Sequence, residues 1–202
     1  MEPQPLSRAL RAATTQAHRD AERHPFTARL LQGTISTEAY ARYLSSLERV
    51  YTTLEDALQR DGTPELAPFA DPALFRGPAI RADLGALGHR PPPTPSAERW
   101  TTHLRDLQHS RPVGLIGHIY TRYLGDLSGG QVIGRRLVAA GTLPPNAVQL
   151  YRFDQIADIR SYTAAFRESL DRLDARHHLF IIGEARSAFF WTADIFSAVC
   201  AR

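Results

Sequence analysis

Tyr120-Thr-Arg-Tyr-Leu-Gly-Asp-Leu-Ser-Gly-Gly-Gln-Val-Ile-Gly134 reads as part of a helix, yet it carries Gly125, Gly129, Gly130 and Gly134 within ten positions. A glycine inside a helix costs about 1 kcal/mol relative to alanine, so four together need a compensating reason. Gly125 and Gly129 lie one turn apart and share a face, and Asp126 and Gly130 repeat the spacing on the adjoining strip. The stretch therefore predicts a bare backbone groove with one carboxylate beside it.

The helical reading extends outward in both directions. Pro112 suits a first-turn position and Gly141 a helix stop, so one long helix is expected between them, bent at its glycines. Ser7 is expected to cap a helix to about Arg23, with Leu6, Leu10, Ala13, Ala17 and Ala21 as a weak apolar stripe. His24-Pro25 ends it, because a residue before proline leaves the helical region. A short helix over 27–31 closes at Gly33. Another opens at Ser36, with Tyr40, Tyr43, Leu44, Leu47, Tyr51, Leu54 and Leu58 at helical spacing, and stops at Asp61-Gly62. Residues 61–95 hold much of the proline and predict a surface connection with one short helix over 79–87. Ser96 to His109 form a further helix, 144–150 a short helix or turn, and 154–173 and 177–199 the last two. Period-two alternation does not persist anywhere, so the fold class is all-α, a single multi-helical domain over 1–202 with residues 1–5 expected as a disordered N-terminus.

Composition narrows the function. The 202 residues suffice for one hydrophobic core; 43% are hydrophobic and 22% charged, with a net charge of +3. All 24 basic side chains are arginine, interleaved with acids rather than gathered into a stripe, which argues against nucleic acid. Cys200 is the only cysteine, so neither a disulfide framework nor a cysteine metal cluster is available. No apolar run is long enough to span a membrane and no secretory leader is visible, which makes a cytoplasmic location the expectation. Phosphate loops of the Gly-x-x-x-x-Gly-Lys and Gly-x-Gly-x-x-Gly types are absent. A glycine pair alone is more often a helix-packing device than a ligand wall, but a flat ligand explains the cluster around Asp126 better.

Eight histidines are present, and most fall in loops or at helix ends, where solvation is the ordinary state; His118, on the glycine helix, can simply pack. His18 differs, because Glu22 one turn later can accept its Nδ1–H and leave Nε2 free for a metal. Taken alone, this pair is more often a surface contact.

The glycine stretch closely resembles the signature of the haem oxygenases, and Leu10-Arg-x-x-Thr-x-x-x-His18-x-x-x-Glu22 resembles their proximal helix. The likeness covers the chain from about Leu6 to Val199. It implies a helical fold with haem between the first helix and the kinked glycine helix, and cleavage of haem at a meso carbon to biliverdin, CO and Fe2+ with O2 and electrons. By position, the resemblance makes His18 the axial iron ligand and Glu22 its orienting partner. It makes Gly125, Gly129 and Gly130 the distal backbone wall, Asp126 the holder of a distal water network, and Tyr51 a hydrogen-bonding member of that network. Arg11, Tyr120 and Arg167 match partners of the haem propionates, and Phe189 a residue packed near the macrocycle. Thr163 stands where many members carry lysine, which puts the propionate clamp, and with it the meso carbon attacked, in question.

The resemblance further implies a soluble, monomeric bacterial-type enzyme whose electron donor is a ferredoxin or flavoprotein reductase. A protein of the same fold that carries or senses haem without cleaving it is the alternative. A di-iron site is disfavoured, since it needs Glu-x-x-His pairs on helices and the chain has none.

Overall fold

The computed structural model describes residues 4–60 and 62–201, and among these every regular element is helical. Of the expected disordered N-terminus, residues 1–3 lie outside the described part, as does Asp61 of the expected Asp61-Gly62 stop; Gln4 and Pro5 lead directly into the first helix.

Helix α1 (Leu6–Arg23) buries Leu6, Leu10 and Thr14, a narrower stripe than the alanines suggested, and leaves its opposite side open. Ser7 is not its cap. Pro5 holds that position, and Ser7 lies inside the first turn, where its amide and hydroxyl donate to the Asp171 carboxylate at 2.7 and 2.9 Å. That contact ties α1 to the penultimate helix. Before Pro25, His24 is extended as steric exclusion requires, and its Nδ1 accepts the Phe26 amide at 3.1 Å to cap α2 (Pro25–Gln32). Gly33 closes α2 in the left-handed conformation at φ 65°, where a Cβ would come within 2.1 Å of the Ala140 Cβ. This close approach seats α2 on the end of the glycine helix.

All seven expected stripe residues of α3 (Thr37–Arg60) are buried, with Tyr40, Tyr51 and Leu54 fully enclosed. The proline-rich connection is more ordered than expected: two single 3-10 turns precede α4 (Gly77–Leu87), which starts where the Glu55 carboxylate accepts the Arg76 and Gly77 amides. A carboxylate from another helix thus satisfies the orphan donors of that helix start. Helix α5 (Pro95–Ser110) starts one residue before the expected Ser96 and is capped by Thr94, which accepts the Ala97 amide.

Residues 112–140 are one unbroken helical stretch, as expected, but of changing pitch. A 3-10 turn (Pro112–Gly114) leads to α6 (Leu115–Ile119), then come two wide π-type turns, Tyr120–Leu124 and Asp126–Gly130, and finally α7 (Gln131–Ala140), which stops at Gly141. The expected deformation is therefore spread over ten residues, each wide turn adding a residue that re-aims the side chains after it. A single 3-10 turn (Gln149–Tyr151) occupies the expected short element. Helix α8 is shorter than expected, Ile159–Asp171, because Asp158 caps it by accepting the Arg160 and Ser161 amides. Helix α9 (His178–Cys200) is the hub, packing on α1, α2, α3, α5 and α6. One wall of the cleft described below, α1, and the other, α6 with its wide turns, both rest on it.

Candidate functional site

Arg11, Thr15, His18 and Glu22 follow one another by three or four residues, and Thr14 lies beside Thr15, so α1 turns them all towards one side. They face the wide turns across a cleft of about 480 Å3, which Gly125, Ser128, Tyr120, Arg167 and Phe189 also line. A deeper chamber of about 390 Å3 shares His18, Glu22, Thr121, Gly125 and Phe189, and adds Asp126, Gly129, Gly130, Tyr43 and Tyr151. The joint space has the size of a cofactor pocket. His18 Nδ1 lies 3.5 Å from Glu22 Oε2, and its ring meets Phe189 edge-on at 6.0 Å. Both partners of that pair are more than half exposed, so the pair contributes little to stability. Nδ1 thus faces Glu22, which leaves Nε2 on the far side of the ring.

The four glycines divide into two pairs. A Cβ on Gly125 or Gly129 would meet nothing within 4 Å, and both residues are open to the cleft. On Gly130 and Gly134 it would meet the Tyr151 side chain at 3.1 and 2.9 Å. So Gly130, expected in the backbone wall, lines the deeper chamber but spends its missing side chain on a tyrosine. Helix-to-helix packing by glycine does occur one turn before the motif: a Cβ on Gly117 would come within 2.5 to 2.8 Å of the α9 backbone at Ala185, Ile181 and Glu184.

Beside this wall, Asp126 is 7% exposed and accepts the Tyr51 hydroxyl; Arg122 donates to Tyr51 through Nε at 3.1 Å and approaches Asp126 Oδ1 at 3.4 Å. Burial raises the Asp126 carboxyl above its ordinary value, opposed by Arg122 and by the Tyr51 hydrogen bond. Burial also pushes the Tyr51 phenol well up. For Arg122, burial acts to lower the pKa, but Tyr51, Asp126 and Tyr43 outweigh it and hold the guanidinium charged. Sequence reasoning missed Arg122, although its place one turn before Asp126 in the same motif was available.

At the mouth, Arg11 and Arg167 stand with Tyr120, as expected, and Arg19 joins them; Thr163 does not reach the cleft. One end of the pocket is thus cationic and the other mostly apolar, while the His18 imidazole faces bare backbone across the middle. These groups suit a flat, largely apolar ligand with an acidic edge and a metal that accepts nitrogen.

A family model described as heme oxygenase matches residues 4–198. The chain belongs to the heme oxygenase family. It is 32% identical to human heme oxygenase 1 over 96% of its own length and 71% of that protein. Among solved structures, the heme oxygenase of Leptospira interrogans superposes with a TM-score of 0.90 at 30% identity, covering 96% of this chain and 99% of that one. Heme oxygenase-1 from the cyanobacterium Synechocystis, solved in complex with heme, gives 0.88 at 25% identity over 96% and 91%. The all-α fold expected from the sequence is therefore that of the heme oxygenases. No helix among the described residues is long and apolar enough to cross a membrane.

In this family member, His118 belongs to a second cluster that the sequence did not reveal. Trp100 donates its indole N–H to His118 Nδ1 at 3.1 Å, so the neutral ring carries its proton on Nε2 and donates to Glu184 Oε2 at 3.0 Å. His103 Nε2 meets the same oxygen at 2.8 Å. The three side chains are close enough to suggest a metal site, but the Trp100 bond commits His118 Nε2 as a donor. Burial lowers the His118 pKa; Glu184, though desolvation acts to raise it, is held below its ordinary value by the two histidines. The cluster pins α5, α6 and α9 together behind the cleft.

Proposed function

We propose that the chain binds haem in this cleft and, with O2 and electrons, opens the macrocycle at a meso carbon to give biliverdin, CO and Fe2+. The observation that carries the reading is the open backbone at Gly125 and Gly129 facing His18 across a pocket whose mouth is lined by arginines. Haem, both cofactor and substrate, supplies the iron at which O2 is activated.

The chain's own residues hold and shield it. His18 would offer Nε2 to the iron, with Glu22 3.5 Å from Nδ1 to orient the ring, so the protein ligand would be an imidazole nitrogen and not a thiolate. Arg11 and Arg167 would pair with the carboxylates, which a guanidinium can grip bidentately, and Tyr120 would add a hydroxyl donor; Arg19, which also lines the cleft, is a further cation available to them. Phe189, edge-on to the His18 ring, would line the apolar side of the bound macrocycle. On the other face, Gly125 and Gly129 bring backbone within reach where any side chain would occupy the space, and Gly130 keeps Tyr151 in place behind them. Asp126, fixed by Tyr51 and Arg122, holds the proton-carrying groups of the distal side. The physiological setting that fits is a cytoplasmic, monomeric, single-domain enzyme served by a ferredoxin or flavoprotein reductase.

Purified protein mixed with one equivalent of haemin, then given ascorbate or a ferredoxin system in air, is expected to lose its Soret band as biliverdin appears. A stable haemin complex that survives many minutes under these conditions would show a carrier instead.

A further inference from the structure

The pocket has a second end, away from the arginines. Along α1, Arg11 and Arg19 line only the cationic cleft and Ala21 only the deeper chamber, while His18 and Glu22 line both. Along the glycine stretch, Tyr120 and Ser128 line only the cleft, Val132 and Ile133 only the chamber, and Gly125 both. Both walls therefore pass from cationic to apolar in the same direction. From Arg11 to Ala21 α1 rises about 15 Å, so the two ends are well separated. Apolar lining at the far end comes from Ala21, Leu30, Leu31, Val132, Ile133 and Phe196. Leu30 and Phe196 are buried, but Leu31 and Val132 stay 38% and 42% exposed. A single exposed apolar side chain needs no explanation; two from different helices in the lining of one pocket form an uncovered apolar sill. Its two sides are held in register, because Gly33 fits so closely against Ala140 that the end of α2 is seated on the end of α7.

We propose that this sill receives a hydrocarbon substituent on the haem edge opposite the carboxylates, so that the ligand class extends to tailed haems, in which a long isoprenoid chain replaces one vinyl group. The inference rests on the haem-binding reading above, which sets the orientation. With the carboxylates on Arg11 and Arg167, the pyrroles that carry the vinyl groups would lie towards Ala21, Leu31 and Val132. A vinyl group needs no exit; a long chain does, and where it leaves it meets apolar surface rather than charge. Each methylene laid on Leu31 or Val132 removes apolar area from water, so the tail adds affinity instead of obstructing binding.

The test is titration of the purified protein, followed at the Soret band, with haemin and with the ferric haem that carries a hydroxyfarnesylethyl chain in place of one vinyl group. The tailed haem is expected to bind as tightly as haemin or more tightly; a dissociation constant larger by about threefold or more overturns the proposal. The double variant Leu31→Gln with Val132→Thr keeps the side-chain sizes at exposed positions, where folding tolerates it. It should weaken the tailed haem by about fivefold or more and haemin by less than about twofold. Equal losses for the two ligands, or no loss for the tailed one, overturn the proposal. A protein that binds neither ligand overturns the haem-binding reading together with this one; normal haemin binding with the tailed haem rejected overturns this one alone.

Discussion

Replacing Gly125 or Gly129 by alanine should make the haem-free protein more stable and a poorer haem binder. Neither position has an atom within 4 Å of the added methyl, so no clash opposes the gain from removing a helix-interior glycine, about 0.5 to 1 kcal/mol at each. For a chain of this size that corresponds to a rise of roughly 1–4 °C in melting temperature. Gly117→Ala is the counterpart: its methyl would meet α9 backbone at 2.5 Å, and overpacking of this kind costs about 1–3 kcal/mol or more. Gly134→Ala, against the Tyr151 Cβ at 2.9 Å, should fall on the same side. Urea unfolding of the four variants without haemin gives the order directly. Repeating it with excess haemin adds the binding term, RT ln(1 + [L]/Kd), which should shrink for the first pair, since their methyls project into the space the ligand needs. Destabilisation of haem-free Gly125→Ala and Gly129→Ala by about 1 kcal/mol or more would refute the reasoning, because it would mean the glycines serve packing.

Asp126→Ala strips Arg122 of its carboxylate inside the protein, a loss of about 3–5 kcal/mol, whereas Asp126→Asn keeps the shape and should cost less; both should lower biliverdin yield, read by chromatography after one turnover. Removing Arg11 or Arg167 should weaken haemin about fivefold each, the yield of an exposed ion pair, and leave the affinity for haemin dimethyl ester unchanged; equal losses for both ligands would count against carboxylate pairing. The His118–Glu184 cluster gives haem-free stability a defined pH slope. The folded pKa of His118 is below 6.5, so the unfolded chain binds the extra proton and stability falls as pH drops below that value; Glu184, held below 4.5, adds a further loss as pH falls through its folded pKa. Melting curves from pH 7 to 2.5 should show both stages, and Glu184→Gln should remove the lower one.

Much of this was legible because each feature has a local cause. The α3 stripe was readable since every member is apolar or aromatic at helical spacing, and the end of α1 since Pro25 dictates it. The glycine stretch announced a close neighbour, but periodicity could not say which glycine met which neighbour; only tertiary packing shows that Tyr151 takes Gly130 and Gly134 while Gly125 and Gly129 stay open. Ser7 looked like a cap because its partner, Asp171, is 164 residues away. Trp100, His103, His118 and Glu184 come from three helices and share no motif, so nothing in the sequence joins them. The wide turns were hidden for a different reason: glycine marks a place where a helix can deform, without fixing the form the deformation takes.

The central claim is that haem iron is held by His18 opposite the bare glycine backbone. Resonance Raman spectra of the reduced haemin complex address it most directly, through the iron–histidine stretching band. The account predicts that the band is present in the unmodified protein, is lost in His18→Ala and returns as an iron–imidazole band when imidazole is added. A band that persists in His18→Ala would place the iron on another ligand and contradict the account.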